Sequence, residues 1–145
     1  MNIGFTGTRQ GMTYSQKREL ASLLDAYHRN ATNPKFLHGK CIGADEQAAI
    51  ISKSKQYITV AYPSDRSEQT SKFESDIEMP LLKHPLERNK DIVRDCDILI
   101  ACPEQSQEPR ARRAGGTWWT IRWAREKYPN KKLVVIWPNG VVEAS

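Results

Sequence analysis

The chain has 145 residues, 39% of them hydrophobic and 27% charged, and a formal net charge of +5. That length predicts one domain, residues 1–145, able to bury a full core. No apolar run approaches the ~20 residues needed to cross a bilayer, and Cys41, Cys96 and Cys102, an odd set with no C-x-x-C spacing, speak against a disulfide framework or a zinc site.

The chain begins directly with Asn2-Ile3-Gly4-Phe5-Thr6-Gly7 and shows no signal-peptide pattern; with reduced thiols, this predicts a cytoplasmic protein. Residues 3–6 read as a first strand, followed by Gly7-Thr8-Arg9. A strand-to-helix turn with two glycines, hydroxyls and an arginine suits phosphate, although Arg9 suits a plain surface position equally. Thr13-Tyr14-Ser15-Gln16 has the form of a capping box. Leu20, Leu23, Leu24 and Tyr27 follow at helical spacing, and Asn33-Pro34 ends that helix. Residues 35–38 read as a second strand, closed by Gly39. Gly43-Ala44-Asp45 then opens a helix with Ala44, Ala48 and Ile51 inward, and Asp45 in its first turn suits the helix dipole. His38 at the strand end is either a ligand contact or a hydrogen-bonded structural residue. No partner at metal-ligand spacing accompanies it, so no metal is expected.

Residues 57–61 read as a third strand, stopped by Pro63. Between residues 64 and 83 the pattern breaks down, and a short helix over residues 72–78 fits; a loop this long is usually functional or mobile. A further helix starts at Leu86, with Leu86, Val93 and Cys96 inward and Arg88-Asn89 in its first turn, close to where an anion would sit. Asp97-Ile98-Leu99-Ile100-Ala101, ended by Pro103, is short, apolar and β-branched, which predicts a buried parallel strand. Residues 103–114 are polar and arginine-rich and read as a lid or a plain mobile loop.

Gly115-Gly116-Thr117 lets the backbone approach a ligand closely. Thr117 is placed to cap the next helix, which carries Ile121, Ala124 and Tyr128 on one stripe. First-turn amides have no intrahelical partner, so this turn is either an anion cradle or an ordinary tight loop. Trp119 and Trp123 share a helix face, so one tryptophan is expected in the core, and Trp118 or Trp119 is available to a base or a second subunit. Residues 132–136 read as the last buried strand. The C-terminal third is basic, through residues such as Arg110, Arg112, Arg113, Arg122 and Arg125. That suits either a phosphate-bearing partner or a solvated face.

Alternating strands and helices define the fold class: α/β, a Rossmann-like doubly wound parallel sheet of about five strands with helices on both faces. Ligands in such sheets bind at the carboxyl ends of the strands, where strand order reverses. The glycine loops after Thr6, Leu37 and Ala101 all fall at that end.

With the segments placed, the chain resembles the Rossmann-like SLOG superfamily, which includes the lonely-guy nucleotide phosphoribohydrolases, the DNA-processing protein A domain and stand-alone nucleotide-ligand sensors. Gly4-Phe5-Thr6-Gly7-Thr8-Arg9 resembles its G-x-x-G-x-R turn. His38-Gly39 with Gly43-Ala44-Asp45 resembles its H-G-x-x-x-G-A-D block. Arg88-Asn89 through Pro103 is similar to its R-N block, and Gly115-Gly116-Thr117 with Thr120 and Ala124 to its glycine loop and closing helix. The resemblance implies a ligand site of Gly7, Thr8, Arg9, His38, Gly39, Gly43, Asp45, Arg88, Asn89, Pro103, Gly115, Gly116, Thr117 and Thr120. Lonely-guy enzymes carry P-G-G-x-G-T-x-x-E. Here Pro is absent before Gly115, and Trp118, Trp119, Thr120 and Ile121 supply no acid. Cleaving an N-glycosidic bond needs a carboxylate, and Asp45 and Glu104 are the nearby candidates.

The leading expectation is therefore a protein that binds a nucleotide-derived small molecule, as a sensor or by sequestration, with no cofactor and as a homo-oligomer. The alternatives are a nucleotide N-glycosidase using Asp45 or Glu104, and a single-strand nucleic acid binder using the basic face with tryptophan stacking.

Overall fold

The computed structural model describes residues 1–145. In chain order the elements are β1 (Asn2–Gly7), α1 (Tyr14–His28), β2 (Lys35–His38), α2 (Ala44–Ser54), β3 (Ile58–Ala61), β4 (Ile77–Glu78), α3 (Pro85–Asp95), β5 (Ile98–Cys102), α4 (Gly116–Lys127), β6 (Lys132–Ile136) and β7 (Val142–Ala144). They build one seven-stranded sheet in the order β4-β3-β2-β1-β5-β6-β7. All pairings are parallel except β6 with β7. No helix is long and apolar enough to cross a membrane.

The period-two alternation of the strands sorts the core into two layers. Ile3, Phe5, Phe36, Ile98, Ile100, Val134 and Ile136 face Leu20 and Leu24 of α1 and Ala44 and Ala48 of α2. Leu37, Leu99, Ala101, Leu133 and Val135 face Ile92 and Val93 of α3 and Trp118, Ile121 and Ala124 of α4. The strands are apolar on both sides because both sides are covered. The chain winds from β1 toward β4 and then returns to the other side of β1 as β5. The reversal point therefore lies between the carboxyl ends of β1 and β5, where ligands bind in doubly wound sheets.

Several local expectations change. Residues 72–78 form no helix. Ile77 and Glu78 pair with Val60 and Ala61 as the edge strand β4. Asp76 drives this, accepting from the Thr59 amide at 2.8 Å and the Thr59 hydroxyl at 2.9 Å. A carboxylate satisfied by a neighbouring strand outweighs weak local helix propensity. β7 pairs antiparallel with β6 and is exposed throughout, so no buried alternation announced it. The third strand starts at Ile58, and α3 starts at Pro85, where proline's missing amide costs nothing. Leu86 is only half-buried; Arg88 is the inward residue of that turn.

Gln16 joins α1 to the sheet. Its Oε1 completes the capping box by accepting the Thr13 amide. Its buried Nε2 donates to the carbonyls of Pro103 at 2.8 Å and Ile136 at 2.9 Å, past the ends of β5 and at the end of β6. Gln16→Leu keeps the bulk but strands both carbonyls, and each such loss costs about 1–3 kcal/mol. Urea unfolding is expected to show a loss of about 2–4 kcal/mol with an unchanged m-value.

Candidate functional site

The carboxyl ends of β1, β2 and β5 bring three loops to one rim of the sheet. The first two are locked together. The Thr8 carbonyl accepts the amides of Gly11 at 3.2 Å and Ala44 at 3.0 Å. Gly43 sits at φ +86°, and a Cβ there would lie 2.3 Å from the Arg9 carbonyl oxygen, so only glycine fits. The third loop enters α4 through Gly115 at φ +90°, which is the N-cap. Thr117 thus lies inside the first turn and caps nothing, contrary to the sequence expectation; the cap at Gly115 starts the helix two residues sooner. The amides of Gly116, Thr117 and Trp118 have no acceptor within the chain. A Cβ on Gly115 or Gly116 would meet no atom within 4 Å, so these amides border open space.

Two adjoining clefts occupy this rim. The first, about 180 Å³, is lined by Gly7, Thr8, Arg9, Gln10, Glu104, Gln105 and residues 114–118. The second, about 110 Å³, is lined by residues including Phe5, Gly7, Arg9, Cys41, Asp45, Gln69, Pro85, Arg88, Asn89, Gly116 and Thr117. Gly7, Arg9, Gly116 and Thr117 border both. The Arg9 side chain is exposed and has neither an acidic nor a hydrogen-bonding partner in the chain.

Arg88 behaves differently. It is 4% exposed, and all its nitrogens are engaged. Nη1 donates to the carbonyls of Gly39 and of Tyr62, the latter at 2.9 Å. Nε donates to Asn89 Oδ1 at 2.7 Å, and Nη2 to Cys41 Sγ at 3.4 Å. Asn89 Nδ2 passes the chain on to Thr120 Oγ1 at 2.9 Å, which donates to the Gly116 carbonyl at 2.8 Å. Asn89 and Thr120 therefore position the glycine turn, and Thr120 lines neither cleft.

Asp45 Oδ2 accepts the amides of Gly39 at 3.0 Å and Cys41 at 3.3 Å. Burial raises its pKa, against the opposing pull of Arg88 and those amides. A Cβ on Gly39 would lie 2.6 Å from Arg88 Nη1 and 2.8 Å from Asp45 Oδ2, which explains glycine there. Burial also pushes the Cys41 thiol up to about 11, so it is protonated at neutral pH.

His38 turns away from both clefts. Its Nδ1 accepts the Lys40 amide at 3.1 Å and its Nε2 meets Ser75 Oγ at 2.7 Å, with the ring between Phe36 and Phe73. Pro103 contributes only its carbonyl, to Gln16. The tryptophan in the core is Trp118, fully buried, with Nε1 donating to Gln105 Oε1 at 3.0 Å. Trp119 and Trp123 stack on each other outside it, at 5.5 Å and 7°. Residues 103–114 do not hang free. Arg122 donates to the carbonyls of Pro109, Ala111 and Arg112, and Glu108 pairs with Arg122 and Arg125. Gln10, Cys41, Gln69 and Gln105 line the clefts without any signal in the sequence, since isolated amides and one thiol form no motif.

No family model and no curated protein matches this sequence. Solved structures match its shape. The chain is similar to the molybdenum cofactor binding protein from the phototrophic bacterium Rippkaea orientalis, with 20% identity and a TM-score of 0.68, over 94% of this chain and 76% of that one. It is also similar to DNA processing protein A from Helicobacter pylori, whose single-stranded DNA binding mode has been described, with 21% identity and a TM-score of 0.60 over 93% of this chain and 64% of that one. For DNA processing protein A from Streptococcus pneumoniae the figures are 15%, 0.62, 92% and 49%. The chain thus spans about two thirds and about half of those two proteins. At these identities the likeness establishes the fold alone, a Rossmann-like α/β fold.

Burial first, then the charges of Arg88 and Lys40, lower the His38 pKa from 6.5 to about 3. The unfolded chain takes up a proton on this histidine below pH 6.5 while the native state stays neutral. Stability is therefore lost as pH falls from about 6.5 toward 3, at about 1.4 kcal/mol per pH unit from this group. Chemical unfolding at pH 6.5, 5.5 and 4.5 is expected to show that slope in excess over the His38→Gln variant.

Proposed function

We propose that this protein binds a nucleotide-derived small molecule by its phosphate, at the rim between β1 and β5, and senses or sequesters it. The observation that carries this reading is the unpartnered Arg9 guanidinium, which borders the same clefts as the free amides of Gly116 and Thr117. Helix N-terminal amides and the helix dipole both favour an anion, and a free arginine adds charge-assisted hydrogen bonds. The exposed Arg110, Arg112 and Arg113 on the loop leading to Gly115 add positive potential. The three free cysteines suit a reducing compartment such as the cytoplasm.

Hydrolysis of an N-glycosidic bond fits less well. Asp45 is buried, with Oδ2 given to two backbone amides. Glu104 lies exposed on the wall of the larger cleft with no group that orients it. A general acid or base must be held within hydrogen-bond reach of the atom it serves.

Isothermal titration against a panel of 5′-nucleotides is expected to give saturable heat with at least one member. Arg9→Ala is expected to weaken that binding by about ten- to a hundred-fold, the worth of one charged hydrogen-bonding group, with an unchanged melting temperature, because Arg9 holds nothing in the fold. Silence across the panel would reject the reading. Chromatography of the incubated mixture is expected to show intact nucleotide; free base would reassign the protein as a hydrolase, and Asp45→Asn and Glu104→Gln would then identify the acid.

A further inference from the structure

The larger cleft is lined by two charged side chains, Arg9 and Glu104, that do not pair with each other. Both are exposed, and neither has a hydrogen-bonding or ionic partner in the chain. The phosphate of the reading above accounts for Arg9. It does not account for Glu104, because a carboxylate accepts hydrogen bonds and donates none. What meets Glu104 in a ligand must carry N–H or O–H.

Its neighbour Gln105 has the opposite character. An indole nitrogen only donates, so the bond from Trp118 Nε1 at 3.0 Å sets the Gln105 amide with its oxygen toward the indole. Trp118 is fully buried, which holds that orientation. Gln105 Nε2 is left without an acceptor in the chain, in a residue that lines the same cleft. Two consecutive residues therefore offer the cleft one amide donor beside a pair of carboxylate acceptors.

Base edges differ in such donor and acceptor sequences. Guanine presents the complement: the O6 acceptor, then the N1–H and N2–H donors. Adenine and cytosine carry a ring-nitrogen acceptor next to their amino group. Uracil has an acceptor on each side of its one N–H. Each of these three sets an acceptor against a carboxylate oxygen.

We propose that the base of the bound nucleotide is guanine, with the Glu104 carboxylate accepting N1–H and N2–H and Gln105 Nε2 donating to O6. This rests on the nucleotide reading above and narrows it to one base.

The test is calorimetric titration of the whole chain with the 5′-monophosphates of guanosine, inosine, xanthosine and adenosine. The guanosine compound is expected to bind about ten-fold more tightly than the inosine compound, which lacks the 2-amino group, and by at least as large a factor over the adenosine compound. Glu104→Gln keeps the shape; its amide accepts N1–H and donates where the 2-amino group stood. Xanthosine carries a carbonyl there, so this variant is expected to prefer the xanthosine compound to the guanosine compound by about ten-fold, at an unchanged melting temperature. Gln105→Glu keeps an acceptor for Trp118 Nε1 and removes the donor to O6, and is expected to weaken the guanosine compound about ten-fold. Equal affinity for the guanosine and adenosine compounds, a Glu104→Gln variant that still prefers guanosine to xanthosine, or a guanosine affinity unmoved by Gln105→Glu overturns the guanine assignment and leaves nucleotide binding standing. Silence with all four compounds overturns the assignment too, and the nucleotide reading falls with it only if the wider nucleotide panel is silent as well.

Discussion

A buried guanidinium holds the working rim of this protein in shape. Arg88 leaves α3 and spans the carboxyl ends of β2 and β3, donating to the carbonyls of Gly39 and Tyr62. Taking that charge out of water is expensive unless every donor is met and an opposite charge is near. Here every guanidinium nitrogen has a partner, and Asp45 sits on the other side of Gly39 with its own oxygen on the backbone amides of the same turn. The turn after β2 is therefore gripped from two helices, and Gly39 is the one residue small enough to sit between the two charged groups.

The same arginine reaches the glycine turn before α4 through other residues. Asn89 takes its Nε hydrogen and passes a hydrogen bond to Thr120, which fixes the carbonyl of Gly116. The turn that exposes the α4 amides is thus tied to the turn after β2. A site on such a scaffold loses little conformational entropy when it binds, since its donors are already in place. Two arginines in this rim have opposite surroundings. Arg88 is enclosed and bonded through each of its nitrogens; Arg9 is exposed and has no partner. Their chemistry is the same, and only their surroundings separate the arginine that holds the fold from the one that does not.

The sequence made the fold readable where pattern and burial agreed. The alternation of β5 and β6, the glycine turns, the capping box at Thr13 and Gln16 and the apolar stripes of α1 and α4 each follow from local chemistry that the tertiary structure keeps. It was unreadable where a distant partner decided. Asp76 turns residues 72–78 into an edge strand because Thr59 lies beside it. Trp118 is the core tryptophan because α4 lands against β1 and β5 on that side, although helical spacing alone grouped Trp119 with Trp123. The loop of residues 103–114 reads as free from its polarity, yet Arg122 clasps three of its carbonyls.

The sequence by itself determined the α/β class, the glycine turns at the carboxyl rim and the absence of an acid after Thr117, because these depend on residue type and short-range spacing. Tertiary structure alone decided which of the candidate residues face the clefts. It turned His38 inward to Ser75, buried Arg88 and Asp45 as supports, and left Arg9 and the Gly116 and Thr117 amides open between two clefts. The physical reason is that exposure and hydrogen-bond partnership belong to the packed rim as a whole, and one stretch of chain does not carry them.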